Sequence, residues 1–419
     1  MYSKRHFIKT LLLSATIPFA LKAKNIMKQI PEALSDPIPD DFWLQIRNDY
    51  KLKSDYINLE NGYYSMMAQP VLENYLKDLQ RVNLEGSYYM RTVQYEERQK
   101  IKERLAAFIG CDSTELIITR NTTESLDTII SGYKWTSGDE ALMAEQDYGS
   151  MLDMFKQQAK RVGIINKMVS IPLNPKSDED IVGLYEKAIT PKTKLLMISH
   201  IINITGHILP VKKICDMAHR KGVEVMVDGA HAIAHFDFKI SELGCDYYGS
   251  SLHKWLGTPL GAGILYVRKE KINTIWPLFG ELAYADNDIL KLNHTGTTTV
   301  ACNIAIHHAI DYHNKIGTKR KEERLRFLQQ YWTSKVKPVT NIYLNTPNDI
   351  NRSCAIANVG ITGIKPSDLA KTLLKKYKIW TVAIDSANVQ GVRVTPHIYT
   401  TIEELDLFVT ALKEIAKGN

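Results

Sequence analysis

Between about residues 115 and 270, short apolar runs alternate with stretches of helical spacing, and no other feature constrains the fold as much. Glu115–Thr119 (ELIIT), Lys194–Ser199 (KLLMIS) and Val223–Val227 (VEVMV) are strand-sized and nearly continuous in apolar residues. Such runs suit strands buried on both faces, because a half-solvated strand would alternate polar and apolar positions. Helical patterns separate them, Leu126–Tyr133 and Val211–Lys221 among them. Parallel strands need a crossover connection, so the pattern predicts an α/β architecture: a mostly parallel sheet covered by helices, its ligand crevice at the carboxyl ends of the strands.

Each run ends in a polar cluster. Asn121-Thr122-Thr123-Glu124-Ser125 follows the first run at the mouth of a helix, where free N–H groups and the helix dipole favour an anion. Taken alone this turn reads as a plain N-cap by Asn121 or Thr122. Glu145-Gln-Asp-Tyr148 closes another run, His200-Ile-Ile-Asn203-Ile-Thr205-Gly206 follows KLLMIS, and Asp228-Gly-Ala-His231 follows VEVMV. The stretch from Asp246 to Arg268 reads strand, exposed lysine (Lys254, between His253 and Trp255), Gly/Pro turn, strand. A lysine on such a turn can be desolvated and kept partly neutral, as Schiff-base chemistry with a carbonyl requires.

The remaining chain is ordinary in composition. With 44% hydrophobic and 24% charged residues it reads as a folded globular chain, long enough at 419 residues for one large and one smaller domain. Its +7 formal charge is dispersed without interleaved aromatics or Arg/Gly tracts, which argues against a nucleic-acid footprint. The five cysteines, at 111, 215, 245, 302 and 354, include no CxxC pair and no His/Cys metal spacing, so neither zinc nor a disulfide framework is expected. Beyond about 300, helical patterns give way to strand (Ala355–Val359), helix (Pro366–Lys376), strand (Ile379–Ala383), strand (Gly391–Thr395) and a final helix (Ile402–Lys417).

Asp228 and Lys254, at two strand ends, are the charges a pyridoxal phosphate site needs: an imine-forming amine and a carboxylate that keeps the pyridine nitrogen protonated. At this point the chain resembles the class V aminotransferases of the fold type I pyridoxal-phosphate-dependent transferases, in an isopenicillin N epimerase-like branch. The likeness rests on NTTES, HIINITG, VDGAHA, SSLHKWLGTPLGAGILY, GTTT and VRVTPHIYTT, and covers about 55–415. It implies a large domain whose mostly parallel sheet is flanked by helices, with a smaller α/β C-terminal domain. The implied division is a signal segment at 1–24, a lead-in packing on the small domain at 25–60, a large cofactor-binding domain at 61–300 and the small domain at 301–419.

The resemblance also implies roles. Lys254 is the Schiff-base lysine and the general base for the α-proton, and Asp228 pairs with the pyridine nitrogen. His231 and Asn203 lie near the phenolic oxygen, Asn203 also within reach of the substrate carboxylate. Tyr148 stacks on the ring, and Thr122, Thr123, Ser251 and His253 hold the phosphate. Thr297 reaches across a homodimer interface to the partner's phosphate, and Arg393 grips the α-carboxylate of a small amino-acid substrate with its planar fork. The cofactor is pyridoxal 5′-phosphate. Cysteine desulfurases of the family place a nucleophilic cysteine shortly before that arginine, whereas Asp385–Gln390 here reads DSANVQ. Transamination or epimerisation at the α-carbon is the leading expectation. A cysteine-independent C–S or C–N lyase and a non-catalytic cofactor-fold protein are the alternatives.

Ser3-Lys-Arg-His-Phe-Ile-Lys9, followed by the apolar run Leu11–Leu21, resembles a twin-arginine export signal with Lys4 in place of the first arginine. It predicts a periplasmic location, the alternative being an amphipathic tail on a cytoplasmic protein. The run is too short for a lasting membrane span.

Overall fold

The computed structural model describes residues 40–418; the signal-like segment lies outside them. The chain opens with α1 (Asp40–Asn48) and β1 (Ile57–Asn58), then α2 (Gln69–Glu85) and α3 (Gln94–Ile109). Pro70 sits in the first turn of α2, where its missing N–H costs no hydrogen bond. Gly110 ends α3 in the left-handed conformation (φ 71°) that a glycine adopts without strain.

A seven-stranded sheet follows, built from β2 (Leu116–Thr119), β3 (Glu140–Ala144), β4 (Ile165–Val169), β5 (Thr193–Ser199), β6 (Glu224–Asp228), β7 (Tyr247–Ser251) and β8 (Gly263–Val267). Helices α4 (Thr122–Gly132), α5 (Gly149–Val162), α6 (Asp178–Ala188), α7 (Val211–Arg220) and the single turn α8 (Ile240–Leu243) connect them. The order across the sheet is β2-β8-β7-β6-β5-β3-β4. All strands run the same way except β8, which is antiparallel to both neighbours. The expected mostly parallel sheet is therefore present, and β8 reverses for a local reason: no helix separates it from β7, only the turn carrying Lys254.

Period-two alternation explains why these strands read as continuous apolar runs. Ile118, Leu142, Leu196, Val225 and Tyr248 face one core, while Ile117, Met143, Leu195, Met226 and Tyr247 face another on the opposite side of the sheet. Between β3 and β5 the sheet changes its direction of growth, and a topological switch of this kind leaves a crevice beyond the carboxyl ends.

Helix α9 (Val300–Ile316) packs on α2 and α3, and α10 (Thr318–Val336) leads away from it. A second core gathers Phe327, Leu328 and Trp332 of α10 with an antiparallel sheet ordered β12-β13-β10-β9. Those strands are β9 (Ile342–Leu344), β10 (Ala357–Ile361), β12 (Val382–Ser386) and β13 (Val389–Val394). Helices α11 (Pro366–Tyr377) and α12 (Ile402–Lys417) cover it, α12 opening with a reciprocal Thr401/Glu404 capping box. Sequence spacing suggests one strand at Ile379–Ala383, but the structure has two. β11 (Ile379–Trp380) pairs in parallel with β1, and β12 pairs with β13. Leu59 of the lead-in is buried in this second core, so the chain just after β1 is anchored to the small domain.

The crevice walls tolerate little change. A Cβ on Gly229, one residue past β6, would lie 2.1 Å from the ring of Tyr248, which is itself buried and bonded through its hydroxyl to His200 Nδ1 at 3.0 Å. Gly229→Ala is expected to lower stability by about 1–3 kcal/mol. An unchanged denaturant midpoint would show that the ring can move aside.

Candidate active site

Asp228 is the last residue of β6, level with Ser199 of β5 and Gly249 of β7. Its side chain is buried, and among the described residues one hydrogen bond reaches it, from Ala230 N to Oδ1 at 3.0 Å. Burial raises its pKa, while that backbone N–H and the Lys254 charge oppose the rise. A buried carboxylate with unused acceptor capacity suits a protonated ring nitrogen.

Lys254 lies in the turn that follows β7. Desolvation brings its amine down to about 8, with Arg393 pushing further down and Asp228 and Glu60 pushing back. Roughly a tenth of such an amine is neutral at pH 7, against about one part in a few thousand for a free lysine. Its Nζ lies 3.0 Å from Nε2 of the buried His231. Trp255 Nε1 donates to His231 Nδ1 at 3.4 Å, which leaves the ring proton on Nε2, facing Lys254. An Nε2–H can donate only to the neutral amine, so this tautomer works in the same direction as desolvation. Burial and the neighbouring Lys254 hold the imidazole well below its usual range, and the ring stays uncharged. Trp255 is held by stacking on His235, ring centroids 3.8 Å apart, and by Lys321, whose Nζ donates to the Trp255 carbonyl.

The hydroxyl-rich turn caps the helix that follows it. Asn121 caps α4 by accepting from Glu124 N at 2.9 Å. Thr122 turns inward: its N–H donates to Ser251 Oγ at 2.9 Å, and its hydroxyl lies 2.7 Å from the same oxygen. Thr123 is half-buried beside it. Two residues beyond Ser251, His253 Nδ1 is buried with no hydrogen-bond partner among the described residues, and desolvation holds that ring neutral, its pKa lowered to about 4. Hydroxyls, a helix N-terminus and an orphaned ring nitrogen together fit a phosphate.

Asn203 is half-buried, and its backbone carbonyl accepts from Arg393 Nη1 at 3.4 Å. Tyr148, at the mouth of α5, is 43% exposed, and Thr297 is exposed in the loop before α9. Arg393 on β13 is buried, as its assigned role requires, but its Nε and Nη2 are taken by Glu60, at 3.1 and 2.6 Å. Sequence reasoning missed Glu60, whose only signal is an acidic residue at the end of an apolar stretch before Asn61-Gly62. It also missed Asp147. This buried carboxyl accepts from Ser199 Oγ at 2.7 Å and Ala144 N at 2.8 Å, bridging the switch between β3 and β5. Burial pushes Asp147 up to about 7. The stretch DSANVQ contains a tight hairpin: Ser386 pairs with Val389, and Ala387 and Asn388 take φ of 50° and 62°. Cys354 is buried with its thiol pushed up to about 12, which makes it a poor nucleophile.

The aminotransferase class-V family profile matches residues 59–408, which span the crevice and both cores. The chain belongs to the class V aminotransferase family. It is therefore an enzyme of that family, its architecture is that of fold type I, and its cofactor is pyridoxal 5′-phosphate. It is 26% identical over 400 residues to an isopenicillin N epimerase of Amycolatopsis lactamdurans, covering 90% of this chain and 99% of that one. It is 29% identical over 301 residues to a probable cysteine desulfurase of Halalkalibacterium halodurans, covering 69% and 72%. A cysteine desulfurase from Thermococcus onnurineus NA1 shares the fold with a TM-score of 0.80 at 23% identity, covering 92% of this chain and all of that one.

In the cofactor-free protein, acylation of Lys254 followed by peptide mass should rise with pH to a midpoint near 8, because the reactive form is the neutral amine. Asp228→Asn removes the charge that favours the ammonium and should shift the midpoint lower. A midpoint near 10.5, shared with surface lysines, would contradict the desolvated site.

Proposed function

We propose that this enzyme transforms amino acids at the α-carbon by transamination or epimerisation. One observation carries the proposal: a desolvated amine, a buried carboxylate and a buried guanidinium are close enough in one crevice to act on each other's charge. Pyridoxal phosphate, when bound, supplies an aldehyde for the amino group and an electron sink for the α-carbon. Asp228 would hold the pyridine nitrogen, Thr122, Thr123, Ser251 and His253 the phosphate, His231 and Asn203 the phenolic side, and Tyr148 the ring face. Arg393 offers charge-assisted donors to an α-carboxylate. Lys254, as a neutral amine, can take and return the α-proton, while His231 Nε2–H orients its nitrogen.

The isopenicillin N epimerase relatives support reaction at the α-carbon, since they match nearly their whole length. The second reading is a C–S or C–N lyase that works without a cysteine. It is favoured by the desulfurase relatives, and it dispenses with a cysteine because Asp385–Gln390 contains none. The assembly we propose is a homodimer. Trp276, Phe279 and Leu282 are exposed apolar side chains in a segment preceding Thr297, and this surface suits a second copy that would bring Thr297 to its partner's phosphate.

The cofactor-loaded enzyme, incubated in deuterated water with a panel of L- and D-amino acids, is expected to place deuterium at the α-carbon of at least one. Lys254→Ala should abolish the visible band of the lysine-bound cofactor and slow exchange by about a hundred- to ten-thousand-fold. Exchange with no member of the panel would overturn the reading. Light scattering should give twice the chain mass at micromolar concentration; a single-chain mass would remove the proposed role of Thr297.

A further inference from the structure

Glu60 and Arg393 form a buried, bidentate ion pair inside the crevice, their side chains 4% and 7% exposed. Burying such a pair is costly unless the geometry is good and the remaining polar atoms are satisfied, so its location asks for an explanation. Glu60 is tightly built in. Its Oε1 also accepts from Tyr63 N at 2.9 Å, and its own N–H donates to Asn58 Oδ1 at 3.1 Å. The next residue, Asn61, bonds to Thr395 through its backbone N–H at 2.6 Å and its side-chain amide at 2.8 Å. Further along, Ser65 N donates to the carbonyl of His253 at 3.2 Å. The segment from Glu60 to Ser65 thus joins the strand of Arg393 to the turn of Lys254.

The way the guanidinium is held is informative. Glu60 takes the edge formed by Nε and Nη2, and the Asn203 carbonyl takes one Nη1 proton at 3.4 Å. A Cβ on Gly62 would lie 3.2 Å from the Arg393 Cζ, so the Gly62 backbone packs against the group. Among the described residues no carboxylate lies on the Nη1–Nη2 edge. A guanidinium can hold two carboxylates on different edges, and fixing one edge removes most of the freedom of the other.

We propose that Glu60 is a positioning residue: it locks Arg393 by the Nε–Nη2 edge so that the Nη1–Nη2 edge is presented to the α-carboxylate of an amino-acid substrate. The opposite possibility is that Glu60 competes with the substrate carboxylate for Arg393. The two predict effects of opposite sign. Positioning loses carboxylate affinity when Glu60 is changed, whereas competition gains it. Glu60 also opposes the effect of Arg393 on the Lys254 amine, so its removal leaves Arg393 unbalanced and should lower the pH at which that amine titrates.

The proposal rests on the amino-acid reading above, and the test separates the two. L-alanine and L-alaninamide, which differ only in the carboxylate, are titrated against the visible band of the cofactor-loaded enzyme. Glu60→Gln is expected to retain that band, weaken L-alanine about tenfold or more, and leave L-alaninamide within about twofold. In the cofactor-free variant the Lys254 acylation midpoint should fall. Should Glu60→Gln fail to fold, Glu60→Asp keeps the charge but draws it back by one methylene, and it should weaken L-alanine several-fold. L-alanine binding that is unchanged or tighter, in whichever variant folds, overturns the positioning role. If neither probe perturbs the wild-type band, the panel amino acid that exchanges deuterium and its amide take their place; a band that no amino acid of the panel perturbs defeats the amino-acid reading itself, and this proposal with it.

Discussion

The site depends on shielding two opposite charges from water, the buried Asp228 and the half-buried Lys254, at the carboxyl ends of adjacent strands. Desolvation penalises both ions, and their attraction offsets only part of the penalty. For Lys254 the balance favours the neutral amine by about 3 kcal/mol relative to a free lysine. That balance requires a dry sheet end. Strand β7, buried throughout, and β6, buried from Val225 to Asp228, provide it, with cores on both faces of the sheet. His231 refines it. With Nδ1 engaged by Trp255, its remaining N–H faces the lysine and suits an amine with a lone pair to offer.

The second requirement is to bring groups from two cores to one crevice. Arg393 belongs to the small sheet, while Lys254 and Asp228 belong to the large one. The chain just after β1 connects them. Leu59 is buried in the second core, Glu60 and Asn61 bond to Arg393 and Thr395, and Ser65 bonds to the Lys254 turn. A few residues near the start of the described chain therefore tie the turn of Lys254 to the strand of Arg393.

Much of this was legible in the sequence because it follows from local rules. Continuous apolar runs separated by helices imply strands buried on both faces, and the polar cluster after each run marks the carboxyl end that faces the crevice. Thr122 and Ser251, read separately as anion-binding hydroxyls, prove to bond to each other across the ends of β2 and β7. What stayed hidden depends on tertiary contacts. Nothing local announces that Glu60 meets Arg393, more than three hundred residues later, or that Asp147 caps the switch between β3 and β5 through Ser199. The reversal of β8 was within reach of the sequence, because a Gly/Pro turn and no helix joins it to β7. The tautomer of His231 depends on a tertiary contact with Trp255, 24 residues away.

The crevice fits one cofactor, with Asp228 at one end and the paired Thr122 and Ser251 at the other. The most direct measurement is the crystal structure of the cofactor-loaded protein. It should show continuous density from Lys254 Nζ to the cofactor, a carboxylate oxygen of Asp228 within 3.2 Å or so of the pyridine nitrogen, and phosphate oxygens on Thr122 and Ser251 with His253 Nδ1 in reach. Cofactor density joined to another lysine, or a phosphate bound away from the turn at the mouth of α4, would contradict the account.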